Sequence, residues 1–176
     1  MSGKGGEFER EFSKYLTFWL TGKKKPLAFW RMPGSGSFAT ISEENSNMSG
    51  DIRGITSKGM VITDIISIEC KTGYPKTSFW QLFKEIKNFN IKMFWIQCTE
   101  DAKKPGKYPV LIYRKLRQEI IIGINKVLDD KLIEKKSKLD KLPSMEIYWN
   151  DLESIKFYSM KKFFDIITPE DIKGLK

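Results

Sequence analysis

The segment Ile62 to Thr72 constrains the fold of this chain more than any other stretch. It is dense in β-branched residues, and within it Ile65-Ile66-Ser67-Ile68-Glu69-Cys70-Lys71 has the pattern of a strand. Successive strand side chains point to opposite faces. Ile66, Ile68 and Cys70 therefore face a core, and Glu69 and Lys71 share the other face. A second strand, Asp51 to Thr56, is expected just before it, with Ser57-Lys58-Gly59 as the intervening turn.

Helical and strand signals alternate around this pair. Phe8, Phe12, Tyr15, Leu16 and Trp19 fall on one face of a helix over 7–20, which Gly22-Lys23-Lys24-Lys25-Pro26 ends. Leu27 to Met32 reads as a strand, and the Gly-, Ser- and Asn-rich stretch 33–50 as a long loop of the kind that often serves function. Residues 78–104 read as helical in two pieces, broken near Asn88-Phe89-Asn90. Strands over 108–114 and 119–124 make a hairpin, and a Lys-rich helix follows over 125–140. Beyond Pro143, Met145 to Trp149 is an expected edge strand, and Tyr158 to Ile167 belongs to a final helix. The order predicts an α/β fold, a mixed central β-sheet flanked by helices, with a helical C-terminal extension. At 176 residues one domain is expected. Residues 1–124 would form the core, and 125–176 an extension packed on the same domain. Phe79, Trp80, Phe94 and Trp95 are expected in the interior, where large aromatics usually sit.

Charge and composition narrow the function. Thirty-one Lys and Arg against 22 Asp and Glu give a net charge of +9, which favours an anionic partner, nucleic acid first. The absence of histidine removes the commonest general base, the Ser-His pair and imidazole ligation. Two cysteines, Cys70 and Cys98, cannot build a structural zinc site without other soft ligands. No apolar run reaches the roughly 20 residues of a membrane helix, and the N-terminus lacks an apolar signal core. A soluble, intracellular, cytoplasmic protein without membrane partners is therefore expected. No Walker-type loop is present, which argues against an ATPase.

Asp51 opens the strand before Glu69-Cys70-Lys71, so neighbouring strands would bring two carboxylates and an ammonium to one end of the pair. Such a set suits Mg²⁺, which is usually held by one or two carboxylates plus substrate phosphate. It can cleave a phosphodiester without histidine. Each residue alone has an ordinary reading: Glu-x-Lys as a surface ion pair, Asp51 as a turn residue.

Together the residues carry a resemblance. Asp51 followed by Glu69-Cys70-Lys71 resembles the signature of the PD-(D/E)xK nuclease superfamily. The opening Lys4-Gly5-Gly6-Glu7-Phe8-Glu9-Arg10-Glu11-Phe12 is similar to the first helix of archaeal-type Holliday-junction resolvases. Arg31-Met32-Pro33-Gly34-Ser35 is similar to the motif after their first strand, and Pro109 to Arg114 resembles a later core strand of phage members. The signature proline is absent, since Gly50 precedes Asp51, and the loop 37–50 is longer than in archaeal resolvases.

The resemblance implies a restriction-endonuclease-like core and a Mg²⁺-dependent DNA endonuclease, with Mn²⁺ as a substitute. It implies that Asp51, Glu69, Glu9 and the main-chain carbonyl of Cys70 ligate the metal. Lys71 would stabilise the phosphate or orient water, and Arg31 and Ser35 would touch the substrate strand. Helix geometry does not choose Glu9, since Glu9 and Glu11 lie about 80° to either side of the apolar face. Only the resemblance does. Gln81 and Gln97 stay undecided between site and surface. Branched or duplex DNA is the expected partner, a homodimer the expected assembly, and a virus-encoded origin fits the phage relatives. The competing readings are a sequence-specific or nicking duplex endonuclease on the same core, and a non-catalytic DNA-binding module.

Overall fold

A computed structural model of the chain describes residues 4–32, 49–84 and 89–175. Ser35, nearly all of the expected 33–50 loop and the expected helix break at Asn88 lie outside the described residues.

The hydrophobic alternation of the central strands generates two cores. In β4 (Tyr108–Arg114), Val110 and Ile112 enter one cluster, while Leu111 and Tyr113 enter another. The first cluster takes Phe8, Phe12 and Leu16 from helix α1 (Lys4–Thr21) and the side chains of the C-terminal helices. The second takes Phe94, Trp95 and Cys98 from helix α3 (Asn90–Lys103). The sheet is thus buried on both faces. It runs in the order β3-β4-β5-β7-β6, with β3 (Ile66–Thr72), β5 (Ile121–Asn125), β6 (Ser144–Trp149) and β7 (Leu152–Ser159). β3 pairs parallel with β4, and every other pairing is antiparallel, so the sheet is mixed, as expected. A separate ribbon pairs β1 (Phe29–Arg31) with β2 (Ile52–Gly54).

Three expectations are corrected, the first being the start of the strand expected over Ile62 to Thr72, which begins at Ile66 because Ile62 and Thr63 belong to a helix. Ser57-Lys58-Gly59 is not a hairpin turn but the first turn of helix α2 (Ser57–Thr63). Thr56 caps it, its hydroxyl accepting from the Gly59 N–H at 3.2 Å. A Cβ on Gly59 would lie 2.3 Å from the Ala28 carbonyl oxygen, so glycine lets the helix lie close against the chain beside β1. Tyr158 is not helical. It belongs to β7, and the following helix α5 starts at Met160 under the Ser159 cap. Pairing with β5 outweighs local propensity there. The C-terminal stretch thus combines helices α4 (Lys126–Lys135), α5 (Met160–Ile166) and α6 (Pro169–Lys173) with two sheet strands. Met145 to Trp149 does lie in the edge strand. No helix among the described residues is long and apolar enough to cross a membrane.

Phe94 and Trp95 are buried, and Phe79 packs partly buried against the second cluster. Trp80 departs from expectation: it is 76% exposed.

One buried polar network fastens the tail. Asp129 on α4 accepts from the Tyr158 hydroxyl at 2.6 Å and from Lys156 Nζ at 2.8 Å. Burial first, then the bond to Asp129, raises the Tyr158 pKa. Asp129→Ala leaves Lys156, nearly buried, without its counter-charge and is expected to destabilise by about 3 kcal/mol. Tyr158→Phe removes one bond to a charged acceptor and should cost about 1.5 kcal/mol. Urea unfolding checks both, and two variants indistinguishable from wild type would refute the network's role.

Candidate active site

Asp51 is fixed to β3 by backbone and side chain alike. Its N–H donates to the Ile68 carbonyl at 2.7 Å, and its Oδ2 accepts from the Cys70 N–H at 2.8 Å. Its own carbonyl accepts from the Met32 N–H at 2.8 Å, which ties in the end of β1. The residue before it makes this approach possible. Gly50 has φ +83°, and a Cβ there would stand 2.6 Å from the Ile68 carbonyl oxygen. Proline, locked near −65°, cannot adopt that conformation. The missing signature proline thus has a local cause.

On β3 the expected alternation holds for Ile66, Ile68 and Cys70, which join the first core. The opposite face is not solvent-facing, because α3 covers it, and Glu69 is only 2% exposed. Burial first, then the Asp51 carboxylate, pushes Glu69 up to about 7, against the pull of Lys71. Lys71 Nζ donates to Glu69 Oε1 and, at 2.9 Å, to Gln97 Oε1 on α3. Burial works to lower the Lys71 pKa, but the Glu69 contact outweighs it and the pKa is raised. The ammonium also lies over the Phe94 ring, 5.7 Å from its centroid.

Helix α1 adds Glu9. Its carboxyl is raised by burial and then by Asp51, and Arg31 Nε stands 3.2 Å from its Oε2. That approach is off the hydrogen-bond line, so the buried Nε–H has no hydrogen-bond acceptor among the described residues. Glu11 turns elsewhere, into an ion pair with Arg114. The fold therefore brings together Glu9, Arg31, Asp51, Glu69 and Lys71, and Ser35 lies outside the described residues.

Gln97 joins the cluster, whereas Gln81 caps a local turn by accepting from the Ser78 N–H at 3.1 Å. Sequence reasoning missed Asp101, one helical turn after Gln97. Its carboxyl is raised by burial and then by Asp51, and it hydrogen-bonds Gln97. The signal was the four-residue spacing of Gln97 and Asp101, which stacks them on one helix face.

The donor set suits a hard divalent cation: only oxygen ligands, with two buried carboxylates beside each other. Cys70 is a poor thiolate ligand, since burial pushes its thiol well up. Among the described residues, no three acidic, histidine or cysteine side chains form a ready-made metal cluster. Each carboxylate instead meets a protein cation or donor: Glu69 meets Lys71, Asp51 the Cys70 amide, and Glu9 Arg31.

A family described as phage putative PDDEXK endonucleases matches residues 1–174. The chain belongs to that family. It is a nuclease by descent, and its mixed sheet flanked by helices fits the restriction-endonuclease-like fold. No curated protein and no solved structure matches the chain.

The Gly50 geometry gives a counter-intuitive expectation. Installing the signature proline with Gly50→Pro should lower stability and cleavage together, and Gly50→Ala should cost about 2 kcal/mol from the left-handed backbone alone. Thermal unfolding and a cleavage assay test this. A Gly50→Pro protein as stable and active as wild type would sink the account.

Proposed function

We propose that the protein is a divalent-metal-dependent endonuclease that hydrolyses phosphodiesters in branched DNA, as the Holliday-junction resolvases it resembles do. The observation that carries the reading is the Asp51 carboxylate bonded to the Cys70 amide, between Glu69 and Lys71. Asp51 and Glu69 would hold Mg²⁺ or Mn²⁺, with Glu9 and the Cys70 main-chain carbonyl completing the set. When bound, the cation supplies Lewis-acid charge to the scissile phosphodiester.

The chain's own groups do the rest. Lys71 places positive charge on the phosphate and helps orient the attacking water. Gln97 holds that ammonium in place as a positioning residue. Arg31, whose Nε stands 3.2 Å from Glu9 Oε2, would present its guanidinium to the substrate strand, and Ser35 is the second residue proposed to touch that strand. The +9 net charge supports long-range attraction to DNA. In this reading residues 1–124 carry the nuclease core, and 125–176 pack on the same domain through the β5–β7 pairing.

Two cuts across a junction call for two sites, so we propose a homodimer. The hairpin near 108–124 and the tail are the candidate surfaces. The tail offers the open edge strand β6, where Tyr148 is 70% exposed. Light scattering at micromolar concentration should give twice the chain mass. A monomer both with and without DNA would instead favour a nicking enzyme on the same core.

The deciding experiment pairs binding with cleavage on a four-way junction, a fork, a nicked duplex and a linear duplex. Asp51→Asn should abolish Mg²⁺-supported cleavage while leaving metal-free DNA binding equal or tighter, because a negative charge facing phosphate is gone. Lys71→Ala should lose cleavage and a little affinity, and Glu9→Gln should lose far more activity than Glu11→Gln. Wild-type cleavage by Asp51→Asn would overturn the site, whereas binding by the wild-type protein with no cleavage of any of the four DNAs would leave a DNA-binding module as the better reading. Undiminished cleavage in excess chelator would overturn the metal.

A further inference from the structure

The turn that joins β4 to β5 has a conformation its sequence does not favour. Gln118 N–H donates to the Lys115 carbonyl at 3.1 Å, which closes a β-turn with Leu116 and Arg117 at its centre. Arg117 has φ +61°, and Leu116 does not share a positive φ. That is a type II turn with arginine where glycine is ordinarily found. A non-glycine residue there costs about 1–2 kcal/mol, and such strain concentrates where a side chain serves a purpose.

The tip is apolar and exposed as well as charged. Leu116 is 81% exposed. A cleft of about 560 Å³ opens on one side of the turn, lined by Thr72, Tyr74, Arg114, Leu116 and Arg117. A smaller one of about 160 Å³ opens on the other side, lined by Trp80. Lys115 and Gln118 line both clefts, so the turn is the ridge between them. Tyr74, 41% exposed, and Trp80, 76% exposed, flank that ridge.

The ridge is continuous with the candidate active site. Thr72 follows Lys71 on β3. The Tyr74 ring packs 4.7 Å from that of Phe94, which lies under the Lys71 ammonium. Charges at the ridge are mixed. Glu7 and Glu11 line the larger cleft, but Glu11 is occupied by Arg114, and Lys115 donates to the Thr77 carbonyl. Arg117 is exposed and has no ion pair among the described residues.

We infer that this ridge receives unstacked bases of the DNA strand that leaves the cleavage site, with Trp80, Tyr74 and Leu116 against base faces and Arg117 on the backbone phosphate. The inference rests on the reading of the protein as a nuclease acting on branched DNA. A continuous duplex hides its base faces in the stack, so an apolar tip gains little from it. A fork or junction offers unpaired bases beside the cut. Every base has a π-face, so such contacts carry no sequence preference.

The test measures binding in chelator by fluorescence anisotropy. Three probes are used: a splayed fork, a four-way junction with 2-aminopurine at the branch, and a linear duplex. Trp80→Ala should weaken fork and junction binding by roughly five- to 100-fold, the span of base–aromatic stacking, Leu116→Ala should weaken both by less, and neither should change duplex binding by more than about three-fold. The 2-aminopurine signal, changed by wild-type protein, should be restored toward free DNA by Trp80→Ala. Arg117→Gly should keep or raise the unfolding temperature while flattening the salt dependence of binding by about one phosphate. Equal losses on all three DNAs, no loss on any, or a lowered unfolding temperature for Arg117→Gly would overturn the inference alone. A wild-type protein that binds none of the probes would overturn the nuclease reading, and this inference with it.

Discussion

The bonds that hold Asp51 against β3 are the constraint on which the candidate site depends. A carboxylate on a separate ribbon would sample many positions relative to Glu69 and Lys71. Here its N–H and its Oδ2 are both committed to the backbone of β3, two residues apart, so the ribbon cannot slide along the strand without losing both. The close approach requires the left-handed, Cβ-less backbone of Gly50. A family signature written as a proline before the aspartate is thereby met by its conformational opposite, with the aspartate still delivered to its place.

That placement would be of little electrostatic use if β3 faced water. β3 is the terminal strand of the five-stranded sheet, paired with β4 alone, but the first core covers one of its faces and α3 closes the other. Glu69 is then buried beside Asp51 in a medium that resists two negative charges, which is why its carboxyl rises to about 7. Lys71 offsets part of that cost, and Gln97 holds the ammonium from the other side. The same burial that makes the pair expensive makes any cation placed there effective, since low polarity strengthens each charge interaction. Arg31 and Glu9 extend the pattern to α1, with the buried Nε–H of a partly exposed guanidinium turned off its partner's line.

How much of this was legible in sequence depended on range. Period-two alternation around Ile66, Ile68 and Cys70 placed Glu69 and Lys71 together, because strand geometry is local. The choice of Glu9 over Glu11 was not local. Both sit equally far from the apolar face, and only the sheet decides that Glu9 meets Arg31 while Glu11 meets Arg114. Asp101 was invisible for the same reason: its importance comes from packing of α3 on β3, not from its neighbours in sequence. Ser57-Lys58-Gly59 misled because a turn and a capped helix start use the same residues. Trp80 misled in the opposite sense, as an aromatic placed outside a core that Phe79 enters.

The C-terminal stretch bears on the site through α3. Nothing in residues 126–175 joins the acidic cluster, yet the Trp95 indole N–H donates to the Glu153 carbonyl on β7 at 2.7 Å. Ile155 and Phe157 of β7 pack in the same core as Phe94, Trp95 and Cys98. That helix carries Gln97 and Asp101 on the face toward β3. β7 is itself fixed by pairing with β5 and, through Lys156 and Tyr158, by Asp129 on α4. The chain of contacts runs from the tail network through Trp95 to Gln97 and so to the ammonium of Lys71. Loosening α3 by even a fraction of a turn would release that ammonium from one of its two acceptors. A stretch that contributes no acidic side chain to the candidate site is therefore joined to it by an unbroken run of contacts through α3.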